Sequence, residues 1–299
     1  MEFDIKLKSI KVSYLDGFNL SHLEPIELKD NTVINNVSGI PKTISLNDFR
    51  AIIGVLQSLI YPNSDRLNYN IENKNEISFI FSINNQELKY SIVTEGGRIE
   101  KEYYFIDDCL IYEYIRKESI YFKEGFYSNS YKEKIIKNGD ISSLLNNLGS
   151  CYPSNEYYFF SLISYIKNIR SIYINFDKYI WEDSDGILNW EKYIGDNNLI
   201  PQLQEIVKEH FGECGIRYID DWTYSELIIN FKDDYSYKLK KFITDNLERE
   251  IRKVIIKDML SKENISLFII DKPVDTVKDS YAFYDSLKDY NTQIVFPIF

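Results

Sequence analysis

Residues 32–60 constrain the fold most tightly. Thr32-Val33-Ile34-Asn35 is a short β-branched run that reads as a buried strand, and apolar residues at 46, 49, 52, 53, 56, 59 and 60 trace one face of a helix. Between them lies the loop Asn36-Val37-Ser38-Gly39-Ile40-Pro41-Lys42-Thr43. Strand, glycine-containing loop, Lys-Thr pair and helix, in that order, form the arrangement in which a helix N-terminus can meet an anion. The segment keeps the frame of a phosphate-binding loop and points to an α/β fold.

The loop has lost the two glycines that define such a frame. The pattern G-x-x-x-x-G-K-S/T supplies backbone N–H groups around a phosphate, a lysine for the terminal phosphates and a hydroxyl for magnesium. Lys42 and Thr43 supply the last two, and Ser38 and Gly39 stand within the loop. Asn36 takes the first glycine's place, where a turn to positive φ is tolerable for asparagine. Pro41 takes the second, and it has no N–H and a fixed φ, so it can neither donate to a phosphate nor adopt a glycine-only conformation.

Elsewhere the order of elements supports the class. Residues 3–14 alternate with one slip and are followed by an Asp16-Gly17 turn. Ile77–Ile83 and Leu88–Val93 read as a hairpin about Asn84-Asn85, with Ile99–Ile106 as a third strand after Gly96-Gly97. From 110 to 215 the pattern reads as mainly helical, including 157–169 and 203–211. The last third returns to α/β order: a strand at 226–231, a helical stripe at 247–260, a nearly continuous apolar strand at 265–270, a short helix at 279–287 and a strand from 292 to 299. The expected organisation is a single domain over 1–299, with an N-terminal lobe (1–109), a helical insertion (110–215) and a C-terminal α/β lobe (216–299). With 299 residues the chain can bury a full core.

A net charge of −11 disfavours nonspecific attraction to nucleic acid. Cys109, Cys151 and Cys214 are too few and too scattered for a disulfide framework, the first residues lack an apolar leader, and no segment has the apolar length of a membrane span, so a cytoplasmic protein is expected. His210 and Cys214 match no zinc spacing, and the run Lys238, Lys240, Lys241 reads as a solvated face. Glu182, Asp183 and Asp185 read as a polar loop.

Leu267-Phe268-Ile269-Ile270-Asp271-Lys272-Pro273 has the layout of a Walker B strand, with lysine where an acidic residue usually follows the Asp. Tyr237 to Asn246 looks like the run into a signature motif, with Thr244 for its serine and Asn246 for its glycine, and Thr292 to Phe299 resembles the strand that ends in a switch histidine, with Phe299 in its place. Together with Ile10 to Phe18 and the loop Asn36–Thr43, these segments resemble the prokaryotic ABC-type AAA ATPases, the group with RecF-like, SMC-like and OLD-like heads. The resemblance covers roughly the first hundred and the last ninety residues. It implies an ABC-ATPase-like head with a mixed central sheet and an antiparallel N-terminal subdomain.

The departures fall at chemical positions (Pro41, Asn246, Lys272 and Phe299) while apolar framework positions are kept. The resemblance therefore implies a pseudo-ATPase with no catalytic residues, weak Mg-ATP binding at most, and residual nucleotide contacts limited to Asn36, Ser38, Gly39, Lys42, Thr43 and Asp271. Thr43 and Asp271 would hold the magnesium. A protein partner is expected, as a homodimer or a heterodimer with an intact ATPase, with nucleic acid reached only through the complex and no membrane. The competing expectations are a slow, partner-completed ATPase and a nucleotide sensor without turnover. An anti-phage defence or DNA-maintenance setting follows from family analogy.

Overall fold

The computed structural model describes residues 5–35, 44–60, 73–124, 157–176, 187–221, 224–232, 235–270, 272 and 277–298. The chain is mixed α/β and divides into two compact units, Met1–Ile169 and Arg170–Ile298.

The first unit is built on an antiparallel sheet of β1 (Ile5–Leu15), β2 (Phe18–Asn19), β3 (Ile26–Glu27), β5 (Asn75–Ile83), β6 (Gln86–Glu95), β7 (Arg98–Ile106), β8 (Cys109–Ile115) and β9 (Ser119–Phe122), in the order β2-β1-β5-β6-β7-β8-β9 with β3 on β1. A further strand, β4, spans Asn31–Asn35. The turns follow the residues that tolerate a left-handed backbone: Asp16-Gly17, Asn84-Asn85 and Gly96-Gly97 all have positive φ, which matches the twist of the flanking strands. β5 alternates buried and half-buried residues throughout, so Ile77, Phe79, Phe81 and Ile83 face the core. Helix α1 (Leu46–Ser58) adds Phe49, Ile52, Ile53 and Leu56. Its start is fixed by a capping box in which Ser45 Oγ accepts from Asp48 N at 3.1 Å and Asp48 Oδ2 accepts from Ser45 N at 3.2 Å.

The span 110–215, expected to be mainly helical, is mixed, and this corrects the sequence reading. Its start continues the sheet, because Asp107-Asp108 forms another positive-φ turn (46° and 61°) and the aromatic and β-branched residues of β8 and β9 pair beyond it. Helix α2 (Tyr157–Lys167) is as expected, but Ile169–Asn175 is a strand, β10, and Ile187–Asn189 another, β11.

In the second unit β11, β10, β15 (Leu267–Ile270) and β16 (Gln293–Ile298) lie side by side in that order, with β10–β11 and β15–β16 parallel. All four β15 residues are buried. Helices α3 (Trp190–Asp196), α4 (Ile200–Phe211), α5 (Asp245–Lys262) and α6 (Val277–Asp285) belong to this unit, together with a three-stranded antiparallel sheet of β12 (Cys214–Asp221), β13 (Tyr224–Phe231) and β14 (Ser236–Lys238). Along α5 the buried stripe is Leu247, Ile251, Ile255, Ile256, Met259 and Leu260, with Val254 only half-buried.

One close approach in this unit depends on the absence of a side chain. A Cβ on Gly195 of α3 would lie 2.3 Å from Cε1 and Cζ of Tyr218 on β12. Gly195→Ala is expected to lower stability by about 1–3 kcal/mol through overpacking, in spite of alanine's better helix propensity. Truncating Tyr218 to alanine in the same chain should recover most of that loss. Urea unfolding of the two single variants and the double variant checks this, and additive losses would contradict it.

Candidate functional site

Three of the motif-like segments meet the described residues in the second unit: the start of α5, the end of β15 and strand β16; the first two carry the charged groups described below. The chain enters α5 through β14 and a 3₁₀ turn, Leu239–Phe242, in which Leu239 is buried. Thr244 is the N-cap, and its Oγ1 accepts from Leu247 N at 3.4 Å. Thr244, Asp245 and Asn246 are exposed. Asp245 and Glu248 occupy the first turn, so acidic side chains already face the positive end of the helix and reduce its pull on an external anion.

Glu248 is the centre of this site. Its Oε1 accepts from Arg252 Nε at 2.9 Å, one turn along α5. Lys272, in the position that follows β15 and Asp271, brings its Nζ to 3.7 Å from the same Oε1. Arg252 is 1 % exposed. It donates to the Ile174 carbonyl at 2.6 Å, and its guanidinium lies 5.1 Å from the Phe176 ring, which stacks on Trp190 at 5.0 Å. One carboxylate thus serves a buried guanidinium on one side and a half-exposed ammonium on the other. The carboxylate between the two cations is engaged by both of them.

A second charged cluster fixes the approach to α5. Glu226 on β13 accepts from Lys238 on β14 and lies 3.8 Å from Lys240 Nζ in the 3₁₀ turn. The basic face expected at 238–241 is solvated at Lys238, whose side chain is 44% exposed, and at Lys241, but Lys238 and the half-buried Lys240 also pair with the buried Glu226 carboxylate, which the sequence reading lacked. Beside them the Glu191 carboxylate of α3 is buried and accepts from Leu227 N at 3.0 Å. Burial pushes its pKa up, the Leu227 hydrogen bond and Lys240 pull it down, Glu226 raises it and Lys238 lowers it, with burial dominant.

A carboxyl with a raised folded pKa favours folding below its unfolded pKa, and that contribution is lost as pH rises through the folded value. Glu191→Gln keeps an acceptor for Leu227 N without the buried charge. The variant is expected to melt above the wild type at neutral pH, with the gap closing in acid. A wild type that is the more stable at neutral pH would show instead that the lysines outweigh burial.

Of the residues singled out in the sequence, Thr244, Asn246 and Lys272 are placed here: Thr244 as the N-cap of α5, Asn246 in its first turn and Lys272 beside Glu248. Asn36, Ser38, Gly39, Pro41, Lys42, Thr43, Asp271 and Phe299 lie outside the described residues, as do Cys151, Glu182, Asp183 and Asp185. His210 is in the last turn of α4, which ends at Gly212 with φ of 78°. Glu248, Arg252, Glu191 and Glu226 were not anticipated. The i, i+4 spacing of Glu248 and Arg252 was visible as a helix pair. The burial of Arg252 was not, because it depends on strand β10, in a span that reads as helical.

Among the described residues no helix is long and apolar enough to cross a membrane. Neither protein-family models nor curated proteins give a match. Among solved structures, the chain is similar to the SMC head domain from Thermotoga maritima, with 10% identity over 98% of this chain and 88% of that one and a TM-score of 0.37. It is also similar to the recombination mediator protein RecF with ATP, with 12% identity over 99% and 94% of the two chains and a TM-score of 0.35. A second RecF structure, with ATPrS, gives 11% identity over 98% and 92% and a TM-score of 0.35. Likeness this loose transfers no residue roles, and the site has to be argued from this chain.

Proposed function

We propose that this chain is a catalytically degenerate ABC-type ATPase-like protein that acts as a regulatory or interaction subunit in a prokaryotic anti-phage defence or DNA-maintenance complex. The observation that carries the reading is the Lys272–Glu248 contact of 3.7 Å. By the sequence resemblance, position 272 follows the Walker B Asp and belongs to the acid that orients water. A lysine there carries the wrong charge, and it is tied to a carboxylate that also secures a buried arginine. Pro41, Asn246 and Phe299 depart in the same direction: by the resemblance, Pro41 lacks a backbone N–H, Asn246 puts a side chain where the signature glycine belongs, and Phe299 lacks the switch imidazole.

A nucleotide sensor is the second reading, favoured by the retained Lys42, Thr43 and Asp271. Pro41 removes one phosphate donor, and a hydrogen bond to a charged group contributes roughly 1.5–3 kcal/mol, about one to two decades of affinity.

Assembly separates the two readings. A composite nucleotide site built from two copies of this chain would combine Pro41 with Asn246 and Lys272, leaving nucleotide little grip on association. The oligomeric state, measured by size-exclusion chromatography with light scattering, is expected to be the same with and without Mg-ATP. A monomer that dimerises only on addition of Mg-ATP would overturn the proposal.

A further inference from the structure

We propose that a hollow on the first unit, lined by Lys6, Lys8, Ser82, Asn84 and Asn85, is a binding site for a phosphate-bearing ligand, separate from the degenerate nucleotide loop. The hollow has a volume of about 500 Å³. Its floor is the β1–β5 pair at the β5–β6 turn, where Lys6 is in register with Ser82.

Lys8 is the extra residue of a β-bulge. Leu7 pairs with Phe81 and Ser9 with Ile80, so Lys8 is left over, and its carbonyl is held by Leu28 N at 2.7 Å. Bulges of this kind re-aim a side chain, and here the flanking residues Leu7 and Ser9 are buried while Lys8 is exposed. Asn84 and Asn85 form the turn at the rim, with φ of 48° and 69°, and both are exposed.

The hydrogen-bonding capacity of the lining is unspent. Among the described residues Lys8, Ser82, Asn84 and Asn85 make no side-chain hydrogen bond or ion pair with one another or with other groups. Lys6 is paired with Asp30 at 2.8 Å, and Asp30 is 61% exposed, at the margin where an incoming anion could replace it. Three further carboxylates lie on this part of the sheet and are exposed: Glu87, opposite Ser82 in register, Glu27, paired with Ser9 next to Lys8, and Asp107, which accepts from Glu87 N at 2.8 Å. Two ammonium groups with hydroxyl and amide donors, and no aromatic or aliphatic lining, suit a compact oxyanion better than a base or an apolar group. The ligand class is therefore phosphate, from a free polyphosphate or from a nucleic-acid backbone.

Calorimetry at low salt, on the full chain, with tripolyphosphate in one arm and a short single-stranded oligonucleotide in the other, tests the site. Binding is expected in at least one arm and identifies the source. In that arm Lys8→Ala should weaken binding about tenfold, the loss of one charge-assisted contact. Asp30→Asn should tighten it by removing the competing carboxylate, and Lys42→Ala should leave it unchanged. Because Lys8 and Asp30 are exposed, matching thermal melts confirm that the variants fold. No binding in either arm, or affinity insensitive to Lys8 and lost with Lys42, overturns this proposal without touching the reading of the chain as a pseudo-ATPase.

Discussion

Replacing Arg252 by alanine is expected to cost about 3–5 kcal/mol of stability, the range found when one partner of a buried ion pair is removed. Three losses combine. The Ile174 carbonyl loses its 2.6 Å donor, Glu248 loses the guanidinium that neutralises it, and the Phe176 ring loses the cation beside it. Lys272 is already 3.7 Å from Glu248 and can take over part of the second role, which places the result at the lower end of that range. Arg252→Lys keeps the charge but not the planar fork that reaches Glu248 and Ile174 together, and it should fall between wild type and alanine. Urea unfolding measures all three. An alanine variant within about 1 kcal/mol of wild type would mean that Arg252 is not the brace between α5 and β10 that its contacts describe.

Much of this architecture was legible in the sequence where local rules act alone. The turns at Asp16-Gly17, Asn84-Asn85 and Gly96-Gly97 are dictated by residues that accept positive φ, and the period-two alternation of 77–83 needed no tertiary information to orient its core face. The continuous apolar run before Asp271 likewise became a fully buried strand. Legibility failed where the signal was not local. Asp107-Asp108 makes the same kind of turn with neither glycine nor asparagine to mark it, so strands β8 and β9 looked like the start of a helical span. Lys238 and Lys240 alternate with other residues as a solvated face would, and only the partner strand shows that Glu226 pairs with them. The charged cluster around Glu248 was hidden for the same reason: its contacts join a helix turn, the position after a strand end and the Ile174 carbonyl, 78 residues before Arg252.

Purified chain is expected to release phosphate from ATP at the rate of a protein-free blank, and Lys42→Ala is expected to leave that rate unchanged. By the sequence resemblance, the residue after Asp271 would polarise the attacking water; a positioned acid or base of this kind contributes about 10²–10⁴ in rate. Lys272 offers no carboxylate to accept a proton from water, and its Nζ lies 3.7 Å from Glu248 Oε1. Glu248 is no substitute, because its Oε1 is shared between Lys272 and Arg252 and its side chain is only 20% exposed. Restoring the acid alone is not expected to restore turnover. Lys272→Glu would place a second carboxylate beside Glu248, where the two would repel and compete for Arg252, and, if 36–43 is the phosphate loop that the resemblance implies, Pro41 would still deny it an N–H. The pair of measurements is therefore steady-state phosphate release for wild type and for Lys272→Glu, each with its Lys42→Ala control. Release from the wild type that disappears with Lys42 would show a working active site and sink the pseudo-ATPase proposal. Release that appears only in Lys272→Glu, and again depends on Lys42, would place the whole defect at position 272 and show that the phosphate loop tolerates Pro41.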